Sequence, residues 1–319
     1  MIRPCGKLAW ALAAGLLGSG GCVEPCPQTL VPLTDVLAEY NANADAVERL
    51  WARATMSVTL DAPNAPAMTW RSGSPTCLLL LRKGRDRLGP HDFVLIGRET
   101  AAVELFRLGS STAQGMYYFW YRFGERGKAW SARHGAASGP RLPIDPAQVL
   151  SVLAVCALPD DPDKLPAVAV GMRNVPGDCA YVLTVIDRDR GSGRLRFKRE
   201  VLFRWTKEGP RRPYRVHVFD EAGRRVMTAH LKDYRPIDVS DLDDPPDREP
   251  SLPTDIEIVC HDVGGVQAVV RRIHLVLSEM TAEDKWDRSA CDFKPPAGVA
   301  PAAMAAPARS DDGDGGSTR

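Results

Sequence analysis

Between Cys179 and Tyr234 the chain spells out four consecutive strands joined by short polar turns, CAYVLTVIDRDRGSGRLRFKREVLFRWTKEGPRRPYRVHVFDEAGRRVMTAHLKDY. From Leu195 to Trp205 the odd positions read Leu195, Phe197, Arg199, Val201, Phe203 and Trp205, while the even ones read Arg196, Lys198, Glu200, Leu202 and Arg204. Successive side chains of a strand point to opposite faces, so this segment predicts one apolar face and one charged face. That alternation belongs to an antiparallel sheet packed on one side and wet on the other. Arg199 interrupts the apolar row. A lone buried guanidinium is costly, so it is expected at a rim or with partners.

The same period governs most of the chain. Strands are expected over Ala54 to Leu60, Met68 to Arg71, Cys77 to Arg82, Phe93 to Gly97, Val103 to Leu108, Met116 to Phe123 and Gly127 to Ala132, with turn signals such as Gly73-Ser74-Pro75 and Gly89-Pro90 between them. No helix separates them, which predicts a meander. Met116 to Phe123 (MYYFWYRF) carries six of the twenty-two aromatic residues. It reads as a core strand covered on both faces, or as a strand whose Tyr118, Phe119 and Trp120 line an apolar cavity.

Two helices interrupt this pattern. Leu33, Val36, Leu37, Tyr40, Ala44, Val47, Leu50 and Trp51 fall at helical spacing and predict about four to five turns. Asp145, followed by Pro146 and by Gln148 at the capping-box position, opens a second helix that runs to Leu153. Residues 158–178 read as a loop. Residues 235–254 form an acidic, Pro-rich insertion, and the last hairpin pairs Asp255 to His261 with Gln267 to Met280, where Val269, Ile273, Leu275 and Leu277 share a face. One domain thus spans 33–293, and the Pro/Ala/Gly-rich residues 294–319 are expected to be a disordered tail.

The N-terminus sets the compartment. Arg3 and Lys7 flank a short apolar run, Leu8 to Leu17, and Gly18-Ser19-Gly20-Gly21 leads to Cys22. The run is too short to span a bilayer and has the make-up of a secretory signal peptide over residues 1–21. Small residues directly before a cysteine resemble the bacterial lipoprotein signal, although Ser19 stands where that pattern usually has leucine. Two readings follow. Cys22 is a lipidation site and membrane anchor, with 22–32 as a tether, or the signal peptide is an ordinary one. Both predict an exported protein. The first places it on the cell or outer membrane, facing the periplasm. Without Cys5 and Cys22, six of the eight cysteines remain, and six allow fifteen connectivities. Cys156 with Cys179, closing the loop between the second helix and the meander, is the preferred pair.

The order of signal and cysteine, amphipathic helix, many antiparallel strands, an inserted helix and further strands resembles the LolA/LolB-like family of lipoprotein carriers and outer-membrane lipoprotein receptors. The likeness lies in Leu33 to Leu60 (LTDVLAEYNANADAVERLWARATMSVTL), in Asp145 to Leu153 and in the final strands, and covers most of residues 33–286. It implies an α+β fold: a strongly curved antiparallel sheet, an unclosed half-barrel, with helices packed on its concave face. It also implies an apolar cavity that receives a lipid or the acyl chain of a lipoprotein. Tyr118, Trp120, Phe197, Val201, Phe203 and Trp205 are the residues expected to line it. A scaffold or interaction lipoprotein that keeps the fold without a ligand is the other reading.

Other chemistry finds little support. A formal net charge of +1 offers no basic field for nucleic acid. GxSxG, Walker, GxGxxG and HExxH motifs are absent, so neither an enzyme nor a cofactor is expected. No CxxC or Cys/His spacing suits zinc, and Asp241, Asp243 and Asp244 do not meet calcium-loop spacing.

Overall fold

The computed structural model describes Cys26 and residues 31–301, apart from 63–64, 101, 124–125, 136–141, 143, 162, 175–177, 189–192, 206–210, 241, 243–245, 247–248, 263–267, 283–285 and 298. The signal peptide, Cys22 and residues 302–319 lie outside the described residues. Helix α1 (Leu33–Asp45) leads into β1 (Arg49–Ala62), followed by β2 (Ala65–Arg71), β3 (Cys77–Arg82), β4 (Asp92–Arg98), β5 (Glu104–Ser111), β6 (Met116–Phe123) and β7 (Arg126–Arg133). Helix α2 (Pro146–Val152) separates these from β8 (Ala167–Arg173), β9 (Ala180–Arg188), β10 (Leu195–Arg204), β11 (Pro213–Phe219), β12 (Arg225–Pro236), β13 (Ser251–Cys260) and β14 (Val270–Thr281). A 3-10 turn at Arg288–Cys291 and a two-residue strand, β15 (Ala300–Pro301), complete the described chain.

All these strands form one sheet, ordered β15-β7-β6-β5-β4-β3-β1-β14-β13-β12-β11-β10-β9-β8, with β2 paired to β1 off this path. Neighbours run antiparallel except for the parallel contact of β15 with β7. The β15 and β8 ends do not meet, so the sheet is unclosed. It is also bent. Helix α2 touches β5 and β6 on one arm and β11 on the other, eight strand spacings from β6 in the order. In a flat sheet that separation would be about 38 Å, whereas seven helical residues span about 10 Å. The two arms therefore turn toward the same helix.

One face of the sheet supplies a single core. Leu50, Ala52, Ala54, Met56, Val58 and Leu60 of β1 alternate into it, as do Leu79 and Leu81, Phe93 and Leu95, Leu183 and Val185, Val201 and Phe203, and Ile273, Leu275 and Leu277. The helices add Val36, Tyr40, Ala44, Val149, Leu150 and Val152 to the same cluster. Each Val, Leu, Ile, Phe or Met side chain so removed from water contributes roughly 1.5–3 kcal/mol, and together they oppose the ordering entropy of the chain.

Several boundaries differ from the sequence expectation. Helix α1 ends at Asp45, and Leu50 and Trp51 belong to β1. The apolar residues at 47 and 50 satisfy both periods, and neither Gly nor Pro marks the change. Residues 167–173, expected in a loop, form the edge strand β8. Val270 rather than Val269 joins Ile273, Leu275 and Leu277 in the core, because a register shift between Thr59 and Leu60 displaces β14. The expected insertion at 235–254 is shorter: β12 runs to Pro236, β13 begins at Ser251, and Asp238 bridges in parallel to Thr281.

The expected tail also begins too early. Cys291 packs with Leu80, Val94, Ile96 and Tyr118 on the outer face of the sheet, and Val299 packs with Trp120 and Ala129. Residues 294–297 and 299–301 thus continue along a packed face that begins at the 3-10 turn. Gly109 makes room for this arrangement. A Cβ there would stand 2.5 Å from the Tyr118 hydroxyl, which donates to the Cys291 carbonyl at 2.8 Å.

Candidate functional site

The candidate site is the space between the bent sheet and α1, α2 and the segment after α2. Helix α1 is joined to that segment by buried polar bonds. Asn41 donates from Nδ2 to the Leu158 carbonyl at 2.9 Å and accepts from the Leu158 amide at 2.8 Å. The Tyr40 hydroxyl donates to the Cys156 carbonyl at 2.9 Å, and its ring meets Phe203 edge-on with centroids 5.7 Å apart. Burial pushes the Tyr40 phenol up to about 12, with Arg199 partly offsetting the rise. Arg87 bridges Asp45 of α1 and Asp160, at 2.7 and 2.6 Å. These contacts make α1 and residues 154–160 one unit.

Sheet-borne cations meet the C-terminal ends of both helices. Neither helix carries a basic residue in its last turn. Lys83, just past β3, donates to the Ala44 carbonyl at the end of α1, and burial lowers its pKa. Arg199 of β10 donates to the Ser151 carbonyl of α2 at 3.1 Å and to the Ala157 carbonyl at 3.2 Å. Cations placed there satisfy carbonyls the helix leaves open and complement its dipole. Arg199 is thus buried, at 9 % exposure, and partnered. The helix ends answer the question its place in the apolar row raised.

At the seam the unit is fastened to the second arm. Asn43 donates to the Ser251 carbonyl at 3.0 Å and accepts from its amide at 2.9 Å, and Glu39 holds the Arg211 side chain at 3.1 Å. The hollow here, bounded by Tyr40, Ala154, Arg211 and Tyr234, has a volume of about 20 Å³. That is room for about one water, far from an acyl chain.

The six residues expected to line a lipid cavity do not share one surface. Val201 and Phe203 are fully buried in the inner core, with Trp205 packed at its border against Tyr181. Tyr118 and Trp120 lie on the outer face, under the C-terminal segment. Phe197 is 54 % exposed and Leu195 is 63 % exposed. The cause is a bulge in β10. Phe197 pairs with Ile186, yet Arg199 pairs with Val185, so two steps along β10 match one along β9. Each single-residue slip sends the following side chains to the other face. Phe197 therefore points away from Val201. The contacts absent from the sequence reading, Asn41, Asn43 and Lys83, are polar side chains on or near a helix. Only their tertiary partners distinguish them from solvated ones.

The disulfide differs from the preferred pair. Cys179 bonds Cys26, with Cα atoms 5.6 Å apart, and Cys156 is free. Cys156 sits beside α1 and Arg199, and burial pushes its thiol up, whereas the segment entering α1 passes the start of β9, where the Val31 amide also donates to the Tyr181 hydroxyl at 3.1 Å. Cys77, Cys260 and Cys291 are buried free thiols. His261, beside Asp262, accepts or donates through Thr228 at 2.9 Å, and Thr228 in turn meets His217 at 3.2 Å. Among the described residues no group of His, Cys, Asp and Glu has metal-site geometry. Residues 263–267, between the two strands of the last hairpin, and the acidic Asp241, Asp243 and Asp244 lie outside the described residues.

No protein-family model matches the chain, and no curated protein matches its sequence. Among solved structures it is similar to a LolA superfamily protein from Nitrosomonas europaea, with 14 % identity over 82 % of this chain and 97 % of that one and a TM-score of 0.42. It is also similar to a domain described as an outer membrane lipoprotein-sorting protein from Vibrio parahaemolyticus, with 16 % identity over 81 % and 95 % and a TM-score of 0.45. A third is a DUF1329 family protein from Desulfovibrio piger, with 14 % identity over 81 % and 97 % and a TM-score of 0.43.

Proposed function

We propose that this chain is a LolA-like, membrane-anchored lipoprotein of the cell envelope that takes an acyl chain, a lipid or a lipidated protein between its sheet and its helices. On this reading the sheet is a strongly curved half-barrel, with α1, α2 and residues 154–160 forming a plug on its concave side that moves aside as a lid. The observation that carries it is the way the plug is fastened. Around an apolar core it is held to the sheet by polar contacts of Lys83, Arg199 and Asn43, while Asn41 ties α1 to residue 158 within the plug. Hydrogen bonds of this kind exchange for bonds to water when the plug lifts, so each is worth only about 0.5–3 kcal/mol net. The apolar face left behind recovers its contacts from an acyl chain, at roughly 0.8 kcal/mol per buried methylene.

Acylation of Cys22 would tie the protein to a membrane. Cys26 lies four positions after Cys22, a reach of at most about 14 Å, and is covalently bound to Cys179 at the start of β9. The anchor would then hold the β9 end of the sheet close to the bilayer. A Cys22→Ser variant that still fractionates with membranes removes this part of the reading.

A disulfide between Asn43→Cys and Ser251→Cys tests the lid. The oxidised double variant is expected to lose binding of a fluorescent fatty acid and to regain it when reduced. Binding by the locked form equal to that of the unmodified chain would rule out lid opening. The small volume of the hollow at the seam favours a second reading, a scaffold lipoprotein without ligand. Purification free of phospholipid by native mass spectrometry, together with a stoichiometric protein partner, would favour it.

A further inference from the structure

The outer face of the first arm carries a polar hollow of about 300 Å³ between β4, β5, β6 and the C-terminal segment. It is unrelated to the interior and does not depend on what the interior binds. Its volume falls within the range of small-ligand sites. Arg98, Glu104, Trp120, Arg122 and Lys294 border it. The topology explains the gathering: Arg98 pairs with Glu104 across β4 and β5, Trp120 pairs with Arg107 across β5 and β6, and residues 294–296 form the far wall.

Two buried donors at this hollow have no acceptor, the Arg98 Nε and the Trp120 indole Nε1. Trp120 is itself 1 % exposed. A buried donor left unpaired costs about 1–3 kcal/mol, and natural structures satisfy nearly all of them. Glu104 does not serve them. Its carboxylate accepts from Arg107 Nε at 3.1 Å and from Arg107 Nη2 at 3.0 Å, and one oxygen also takes Arg98 Nη2 at 3.3 Å. Arg122 makes no ion pair among the described residues, and Lys294 reaches Asp292 at 3.9 Å and the Ser289 carbonyl at 3.4 Å. Four cations, Arg98, Arg107, Arg122 and Lys294, thus face two carboxylates.

We infer that this hollow is a binding site for a phosphate group, either as the free ion or as the headgroup of a phospholipid. Two guanidiniums and one ammonium border the hollow beside the single carboxylate of Glu104, which Arg107 and Arg98 already engage, and the unpaired indole N–H lies buried in its wall. The donors come from two strands and a separate segment. A tetrahedral oxyanion accepts from all these directions at once, and guanidinium forks suit its oxygens.

The test follows the indole N–H resonances of the ¹⁵N-labelled full chain by NMR during titration with inorganic phosphate and, separately, with dihexanoyl phosphatidylglycerol below its micelle concentration. The Trp120 resonance, identified by its loss in Trp120→Phe, is expected to move downfield and saturate, and sodium chloride at equal ionic strength is expected to leave it in place. Saturation with both probes identifies a site for the phosphate group itself, and saturation with the lipid alone identifies a headgroup site. Arg98→Gln and Arg122→Gln are each expected to weaken binding about tenfold or more, read by calorimetry so that the result stands even where Trp120→Phe does not fold. The inference falls if neither probe gives a saturable shift, if acetate binds as well as phosphate, or if both arginine variants bind unchanged.

Discussion

The two arms of the sheet solve burial differently. In the first arm β3, β4 and β6 read CLLLLR, DFVLIGR and MYYFWYRF, with little alternation, and they are buried on both faces. The inner face meets the helices, and the outer face lies under the 3-10 turn, Phe293 and Val299. In the second arm the outer face has no such cover among the described residues, and its strands alternate, as over the second half of SLPTDIEIVC in β13. A strand needs apolar residues only where water is excluded, so continuous and alternating patterns report the number of layers above a sheet. The lesson is that the chain's most uneven segment, its C-terminal stretch, belongs to the fold of its most apolar strands.

Removing residues 286–319 should break the comparison most severely. It uncovers Leu80, Val94, Ile96, Tyr118 and Trp120, and at roughly 1.5–3 kcal/mol for each side chain the loss approaches the whole stability of a domain. Hydrogen exchange should then show β3 to β7 opening ahead of β9 to β14, and uniform protection would refute the role given to the segment. Phe203→Ala is expected to cost about 3–5 kcal/mol by urea unfolding, since its ring is fully buried on the inner face.

A smaller effect distinguishes the second arm's outer face through pH. Burial, then Arg225 and Arg215, lowers the His217 pKa to about 4 from an ordinary 6.5. The unfolded chain binds the extra proton between those values, so stability is full above about pH 6.5 and falls as the pH drops toward 4. Discounted for solvent screening of the charges around it, the loss should be roughly 1–2 kcal/mol. His217→Gln should reduce that loss, as seen in urea midpoints at pH 4 and 7, and an unchanged pH dependence would exclude His217 as its source. Smallest of all is Phe197→Ala, expected to lie within about 0.5 kcal/mol of the parent because the ring faces water. A cost near that of Phe203→Ala would mean that the β10 bulge is misplaced.

Much of the fold was legible from side-chain period. The strand-rich order, the α2 start at Asp145 with its bond from the Ala147 amide at 2.9 Å, and the shared face of Ile273, Leu275 and Leu277 follow from residues close in the chain. The site was less legible. Odd positions from 195 to 205 look like one surface until the bulge after Phe197 divides them. Tyr118 and Trp120 look like cavity residues until residues 291–299, more than 170 positions away, cover them.

What the sequence determined by itself is local: a strand's two faces, a helix cap and the turns that separate them, because these depend on neighbours within a few residues. What only the tertiary structure decided is which apolar face becomes the interior, that Cys179 bonds Cys26, and that Lys83 and Arg199 lie at helix ends that carry no cation of their own. The physical reason is that a register shift of one residue, or a partner distant in the chain, reverses the meaning of a side chain without altering the pattern in which it is written.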